Sequence, residues 1–235
     1  MRIILTFMLL AACAMGRADT LGVYASVGYW AFDYDGDVLT DVSLDDDFDI
    51  TKNGSLMADV SFEHPIPMLP NVRLAYSGLD DSSTGVLTRG FNFEGTPFTI
   101  GQAVSSELDL THIDTTLYYE LVDLGFDLDL GVTGRFLNGK LSVNGVSEDL
   151  TTVVPMVFAH TRIYLPFSGT YLGAVANVGS AIVDYQLKVG WATENFIFPE
   201  FGIEAGYRNF DIDDDDDVDL NVDTDGAFIS LVAHF

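Results

Sequence analysis

The stretch GAFISLVAHF, Gly226–Phe235, decides the fold. One set of alternate positions in it is apolar throughout: Ala227, Ile229, Leu231, Ala233 and Phe235. The positions between them are mixed: Phe228, Ser230, Val232 and His234. A period of two places successive side chains on opposite faces of a β-strand. The stretch is therefore predicted to be a strand with one continuous apolar face.

The same alternation recurs along the chain and predicts ten strands. They cover roughly residues 21–34, 55–64, a segment from 72, a segment ending at 121, 126–136, a segment ending at 165, 170–179, 181–191, 201–210 and 226–235. An even number of antiparallel strands is what a closed single-chain barrel requires. Eight strands is the alternative, because only the tight Gly179-Ser180 link separates the seventh and eighth segments.

The connections predict which end of the barrel is which. Short or proline-marked links cover 65–71, 122–125, 166–169 and 192–200, whereas long polar links cover 35–54, 79–105, 138–151 and 211–225. Short periplasmic turns and long outer loops are typical of membrane barrels. Leu108 and Leu110 fall on the opposite parity from the strand that follows them. A bulge near His112, or a segment lying above the membrane, would explain this.

Residues 1–18 are predicted to be a cleaved export signal, and residues 19–235 a single barrel domain. Arg2 gives a positive start, Ile3–Leu10 an apolar run, and Gly16-Arg17-Ala18 a small-x-small cleavage site. The run is too short to cross a bilayer as a helix. Lipoprotein processing at Cys13 is the alternative, because Leu10-Ala11-Ala12-Cys13 resembles a lipoprotein cleavage box. Cys13 is the single cysteine, so the mature chain is expected to have no disulfide.

Composition narrows the class of protein further. Mean hydropathy is +0.25 with 48% hydrophobic residues, yet no segment approaches eighteen consecutive apolar residues, which argues against membrane helices. Alternation explains both facts, because each strand can face lipid on one side only. The net charge is −26, and the predicted cleavage would make it more negative, because residues 1–18 contain two arginines and no acidic residue. Such a field repels phosphate backbones, so no nucleic-acid partner is expected.

Charged residues concentrate on the faces predicted to point inward. They form the candidate lumen network: Asp59, Glu63, Arg73, Asp114, Glu120, Asp127, Asp129, Arg135, Arg162, Asp184, Lys188, Glu204 and Arg208. Inward placement is favoured because Arg or Lys facing hydrocarbon costs about 2–4 kcal/mol. Arg73 is expected to pair with Glu63 or Glu120 on the neighbouring strands. A narrow barrel filled by such pairs predicts a plugged lumen, with a narrow gated pore as the alternative.

Aromatic residues are predicted to mark the membrane interface. Tyr76, Tyr119, Tyr185, Trp191 and Tyr207 share parity with the lipid-facing positions of their strands. Amphipathic rings prefer the interface, where one end is apolar and the other is wet. The alternative is a soluble β-barrel or sandwich that uses the same rings in its core.

Catalytic and metal-binding signals are sparse. The sequence has no phosphate-binding glycine loop, no nucleophile elbow and no metal-spaced histidine pair, so neither an enzyme nor a cofactor nor a metal site is expected. A less favoured hypothesis is a surface hydrolase in which His112 and Asp114, with Asp80 and Asp81, activate water. The acidic runs 45–47 and 213–217 are expected to associate loosely with divalent cations near lipopolysaccharide.

Several short motifs resemble a family of proteobacterial outer-membrane β-barrel proteins of unassigned molecular function. They are Ala18-Asp19-Thr20-Leu21-Gly22, Glu63-His64-Pro65-Ile66-Pro67, Leu69-Pro70-Asn71-Val72-Arg73-Leu74, Leu117-Tyr118-Tyr119-Glu120, Asp184-Tyr185-Gln186, Ala205-Gly206-Tyr207-Arg208 and Phe235. The resemblance spans nearly the whole mature chain and implies location and fold, with no catalytic residues. It implies that Phe235 is the signal for the barrel-assembly machinery.

The sequence therefore predicts a monomeric ten-stranded barrel in the outer membrane of a Gram-negative cell, in contact with lipid and lipopolysaccharide. Its predicted role is structural or small-solute-interacting.

Overall fold

The computed structural model describes residues 21–39, 41–66, 68–123, 125–166, 168–193, 199–214 and 219–235. Within these residues the chain forms fifteen β-strands. They are β1 (Gly22–Val38), β2 (Val42–Ser43), β3 (Lys52–Glu63), β4 (Asn71–Ser77), β5 (Asp80–Val86), β6 (Phe91–Phe93), β7 (Thr96–Phe98), β8 (Ala103–Asp109), β9 (His112–Asp123), β10 (Phe126–Val143), β11 (Val146–Tyr164), β12 (Thr170–Val178), β13 (Ile182–Ala192), β14 (Glu200–Asp214) and β15 (Leu220–His234). Within the described residues, no helix is long and apolar enough to cross a membrane.

Ten of these strands close into an antiparallel barrel. The ring runs β1, β3, β4 and then β9 to β15 in order, and β15 pairs with β1 to close it. The closing pair spans Tyr24–His234 to Val38–Leu220, and Val23 and Phe235 exchange two backbone hydrogen bonds beyond it. Closure leaves no free edge in the ring. The prediction of ten strands is confirmed, and the alternative of eight is wrong.

A belt of exposed apolar side chains surrounds the middle of the barrel. On β10, Leu130, Val132 and Phe136 point outward, while Asp129, Thr133 and Arg135, on the opposite face, are buried. Tyr76, Tyr119, Tyr185, Trp191 and Tyr207 are all exposed on the same outer surface. An apolar outer belt with polar residues inside characterises barrels of the outer-membrane type, and the predicted fold class is confirmed.

The long outer links are mostly not loops, which corrects the sequence prediction. β10 and β11 continue as a hairpin up to Asn144-Gly145, where both residues have positive φ, as a two-residue hairpin turn requires. β14 and β15 likewise extend to Asp214 and from Leu220. We call this side of the barrel the hairpin end. The opposite side, with the short links and Phe235, is the turn end.

The two faces of the strands exchange polarity toward the hairpin end. In β1, Trp30, Phe32 and Tyr34 point inward and are buried, while Asp33 and Asp35 point outward and are exposed. The same exchange explains the parity of Leu108 and Leu110. Both are fully buried, because β8 is a separate strand that pairs with the extension of β10 beyond the belt.

Candidate functional site: the barrel lumen

The interior of the barrel is the candidate site, and the structure places all thirteen residues of the lumen network inside it. Nine of them line one large cavity: Asp59, Glu63, Arg73, Glu120, Asp127, Asp129, Arg162, Lys188 and Glu204. Asp114, Asp184 and Arg208 line a small void above that cavity, and Arg135 is fully buried beside them. The lumen therefore has distinct levels along the barrel axis.

The first level is a cavity of about 530 Å³ beside the turn end, which we call the cup. Its wall on β9 and β10 carries Glu120, Asp123, Asp127 and Asp129, and Glu63 on β3 adds a further carboxylate. Aromatic rings complete the lining: Tyr24, Tyr118, Phe158, Tyr164, Tyr171 and Phe201. The cup is thus acidic on one side and rich in tyrosine.

Arg162 is held in the cup by aromatic contacts. Its guanidinium lies over the rings of Tyr171 and Tyr24, 4.7 and 5.4 Å from their centroids. It donates a hydrogen bond of 3.3 Å to the hydroxyl of Tyr164, which in turn donates to Asp127. Among the described residues, Arg162 forms no salt bridge with a carboxylate.

The pairing expected for Arg73 is wrong. Its Nε donates to Asp59 on β3 at 2.8 Å and not to Glu63 or Glu120. Glu63 instead accepts a hydrogen bond from Tyr118 at 3.0 Å. Strand register accounts for the difference: Arg73 lies directly opposite Ser61 on β3, midway between Asp59 and Glu63 on the same face. Sequence spacing alone leaves both partners open.

The second level is the charged layer, formed by Asp114, Arg135, Asp184 and Arg208. Arg135 binds Asp114 through two hydrogen bonds of 2.7 and 2.6 Å and reaches Asp184 at 2.6 Å. Arg208 binds both oxygens of Asp184 at 3.0 and 2.8 Å. Bidentate pairs of this kind are among the strongest side-chain hydrogen bonds. With two arginines and two aspartates, all buried, the layer carries no net charge.

The third level is the apolar cap, which fills the hairpin end. It comprises the buried inward side chains of the strand extensions and of the segments that fold over them: Val38, Leu44, Phe48, Ile50, Leu79, Leu108, Leu110, Leu141, Ile212 and Val222. Trp30 and Phe210 join it to the charged layer, because Arg208 and Arg135 lie over their rings at 4.6 and 5.4 Å. The cap was not predicted from the sequence. The signal was present, since Phe210 and Ile212 alternate with acids beyond the belt.

One buried acid fixes the loop that covers the cap. The Asp47 carboxylate accepts hydrogen bonds from the backbone and hydroxyl of Thr88 at 2.6 and 2.7 Å, and from the backbone of Ser43 at 3.0 Å. Arg89 lies 3.5 Å away. Burial alone would raise the pKa of Asp47, but these hydrogen bonds and the Arg89 charge outweigh it and hold the pKa below its usual value.

The four residues of the hydrolase hypothesis lie on two strands, β5 and β9. His112 is buried, with Nδ1 against the carbonyl of Leu110 at 2.9 Å and Nε2 facing Arg208 at 3.3 Å. Asp80 and Asp81 lie on β5, and within the described chain no hydrogen bond or salt bridge joins them to His112 or Asp114. His112, Asp114 and Asp184 converge closely enough for one metal ion. Both carboxylates are already bonded to arginine, so we assign the group to ion pairing.

Some predicted features lie outside the described residues. These are the signal with its alternative processing site at Cys13, and residues 215–217 of the second acidic run. The first run, 45–47, lies in the turn that covers the cap. Phe235, the predicted assembly signal, is half exposed and stacks edge-on against Phe201 at 6.5 Å.

Comparisons with known proteins return outer-membrane barrels at low similarity. No protein-family model and no curated protein matches the sequence. Ail of Yersinia pestis, solved with the heparin analogue sucrose octasulfate, has 13% identity and a TM-score of 0.40, covering 92% of this chain and all of its own. Neisserial surface protein A has 10% identity and a TM-score of 0.29, covering 93% of this chain and 98% of its own. The outer-membrane protease OmpT of Escherichia coli has 11% identity and a TM-score of 0.32, covering 94% and 98%. The fold assignment rests on the strand pairing and the apolar belt.

Proposed function

We propose that the protein is a sealed barrel of the Gram-negative outer membrane that interacts with small solutes through the cup. In the proposed orientation of the barrel, the turn end faces the periplasm and the apolar cap faces the cell exterior. The observation that carries the proposal is the difference between the two ends of the lumen. One end holds a cavity of about 530 Å³, and the other is filled by buried hydrophobic side chains.

The seal is argued from two consecutive obstacles. Between the cup and the cap lies the charged layer, with only a void of about 30 Å³ below it. An ion that crossed this region would have to separate bidentate arginine–aspartate pairs and then enter a hydrocarbon-like core, where an unpaired charge is strongly disfavoured. We therefore favour a closed barrel over a narrow gated pore.

Single-channel recording on protein refolded into planar bilayers tests the seal. We expect no current steps in sodium chloride or potassium chloride at either polarity. Protein insertion must be verified independently, by the resistance of the barrel to proteolysis in the same membranes. Reproducible ohmic conductance from inserted wild-type protein would establish the pore instead.

A further inference from the structure

We propose that the cup binds an organic polyamine, a flexible molecule carrying several ammonium groups. This inference rests on the proposed function, because it names the solute class for the cavity assigned there. Its starting point is an imbalance of charge. Within the described residues, Glu63, Glu120, Asp123 and Asp127 all line the cup, and none forms a salt bridge. Arg73–Asp59 and Lys188–Glu204 are already paired, so Arg162 is the one lysine or arginine left among the described cup-lining residues to balance these four carboxylates.

Asp129 adds an acceptor that faces the cavity. The residue is 6% exposed and lines the cup, and only its Oδ2 atom has a partner among the described residues, His160 at 2.7 Å. Its other carboxylate oxygen has no hydrogen-bond donor there. This oxygen is not fully buried, so a donor that enters the cavity can reach it. An ammonium group supplies both the donor and the missing charge.

The shape of the acidic wall argues against a single metal ion. Metal binding needs several ligand atoms around one point. Among the described residues, the group whose ligand atoms converge in this way is His112, Asp114 and Asp184 in the charged layer, not any set in the cup. The carboxylates of the cup lining are spread over β3, β9, β10 and β14. Separated acids fit a cation whose charges are also separated.

The aromatic lining supports an organic cation. Ammonium and guanidinium groups are attracted to the faces of tyrosine rings. Arg162 already uses this interaction with Tyr24 and Tyr171, inside the same cavity. Between the charges, a polyamine carries methylene segments that pack on such rings. A cavity of about 530 Å³ is also within the range of about 300–1,000 Å³ that is usual for small-molecule sites.

Isothermal titration of the refolded full-length protein with spermidine tests the proposal. We expect saturable binding that weakens as salt is raised, with magnesium at equal charge concentration competing poorly. Glu120→Gln and Asp123→Asn, which keep side-chain size, should each weaken spermidine binding by about tenfold. The matched controls, Asp35→Asn and Asp223→Asn, remove acids from the outer surface at the hairpin end and should leave the affinity unchanged.

The possible results separate this inference from the proposed function. Absence of saturable spermidine binding to a non-conducting barrel overturns the polyamine assignment and leaves the seal intact. An equal loss in the outer-surface controls shows nonspecific attraction and also overturns the assignment, as does full competition by magnesium. Conductance of the wild-type barrel overturns the proposed function, whatever spermidine does.

Discussion

The two halves of this barrel use the same strands with opposite chemistry. Toward the turn end, outward residues such as Leu231 are apolar and inward residues such as Glu204 are charged. Toward the hairpin end, the outward residue Asp223 is charged and the inward residue Val222 is fully buried among hydrophobic side chains. Side-chain parity does not change along these strands, so what changes is the solvent outside. Lipid selects apolar residues for the outer surface of one half, and water selects acids for the other.

This comparison explains where the interior charges lie. In the half surrounded by lipid, the outward positions are occupied by apolar residues. The polar residues of the strands therefore face the lumen, where they form pairs or line the cup. In the half surrounded by water, the lumen is free to become an ordinary hydrophobic core. The charged layer sits at the boundary, where Arg208 contacts both Asp184 and the ring of Trp30.

The largest expected effect comes from breaking the charged layer. Arg135→Ala leaves Asp114 without its bidentate partner and removes one of two partners from Asp184. Loss of one member of a buried pair costs about 3–5 kcal/mol. The urea midpoint of the barrel refolded in detergent should fall accordingly.

Arg73→Ala is the matched comparison for that variant. Its partner Asp59 is 27% exposed at the side chain and borders the cup, so solvent can take over part of the lost interaction. We expect a clearly smaller loss of stability than for Arg135→Ala. Equal losses would show that the cup and the charged layer are equally shielded from water, which contradicts the division of the lumen.

The next largest effect is expected from two substitutions that locate the end of the apolar belt toward the hairpin end. Leu130 and Asn138 both point outward and are exposed on β10, but Asn138 lies toward the hairpin end. Leu130→Arg should oppose folding into liposomes by about 2–4 kcal/mol, because the charge would face hydrocarbon. Asn138→Arg should cost almost nothing, because its position faces water. A refolding titration in liposomes gives both values. A similar penalty at Asn138 would show that the membrane extends past Asn138 toward the hairpin end.

Thr133, an inward residue of the same strand, is not a suitable control. Its inward parity can be predicted from the sequence, but the space around its side chain cannot. In the structure it is buried between Thr116 and Asn177, with hydrogen bonds of 2.7 and 2.8 Å to them. The sequence predicts the face of a residue from local period, but not the packing across the lumen.

The number of strands in the ring and the side-chain parity were predicted from the sequence, because both depend on a local period of two. Two features were not. The partner of Arg73 depends on the register between strands, which local periodicity does not encode. The apolar cap depends on segments distant in sequence, such as Phe48 and Leu108, meeting inside the ring.

The smallest expected effect concerns Asp47, which fastens the turn over the cap without touching the barrel wall in lipid. Because its pKa is depressed in the folded state, its ionised form contributes stability above the unfolded pKa, near 3.8, and that contribution is lost as the pH falls through the still lower folded value. Asp47→Asn should therefore loosen the cap at neutral pH by about 1–3 kcal/mol, the cost of weakening charge-assisted hydrogen bonds. Hydrogen exchange at the amide of Thr88 measures this locally, while the urea midpoint of the whole barrel should change little.

The wild-type amide of Thr88 should exchange faster, relative to its intrinsic rate, as the pH drops below about 4, whereas the Asp47→Asn variant should lack this dependence. Asp45→Asn, in the same turn but exposed, is the control and should behave as the wild type. If the variant and the wild type share one acid profile, the cap is held by its hydrophobic contacts alone.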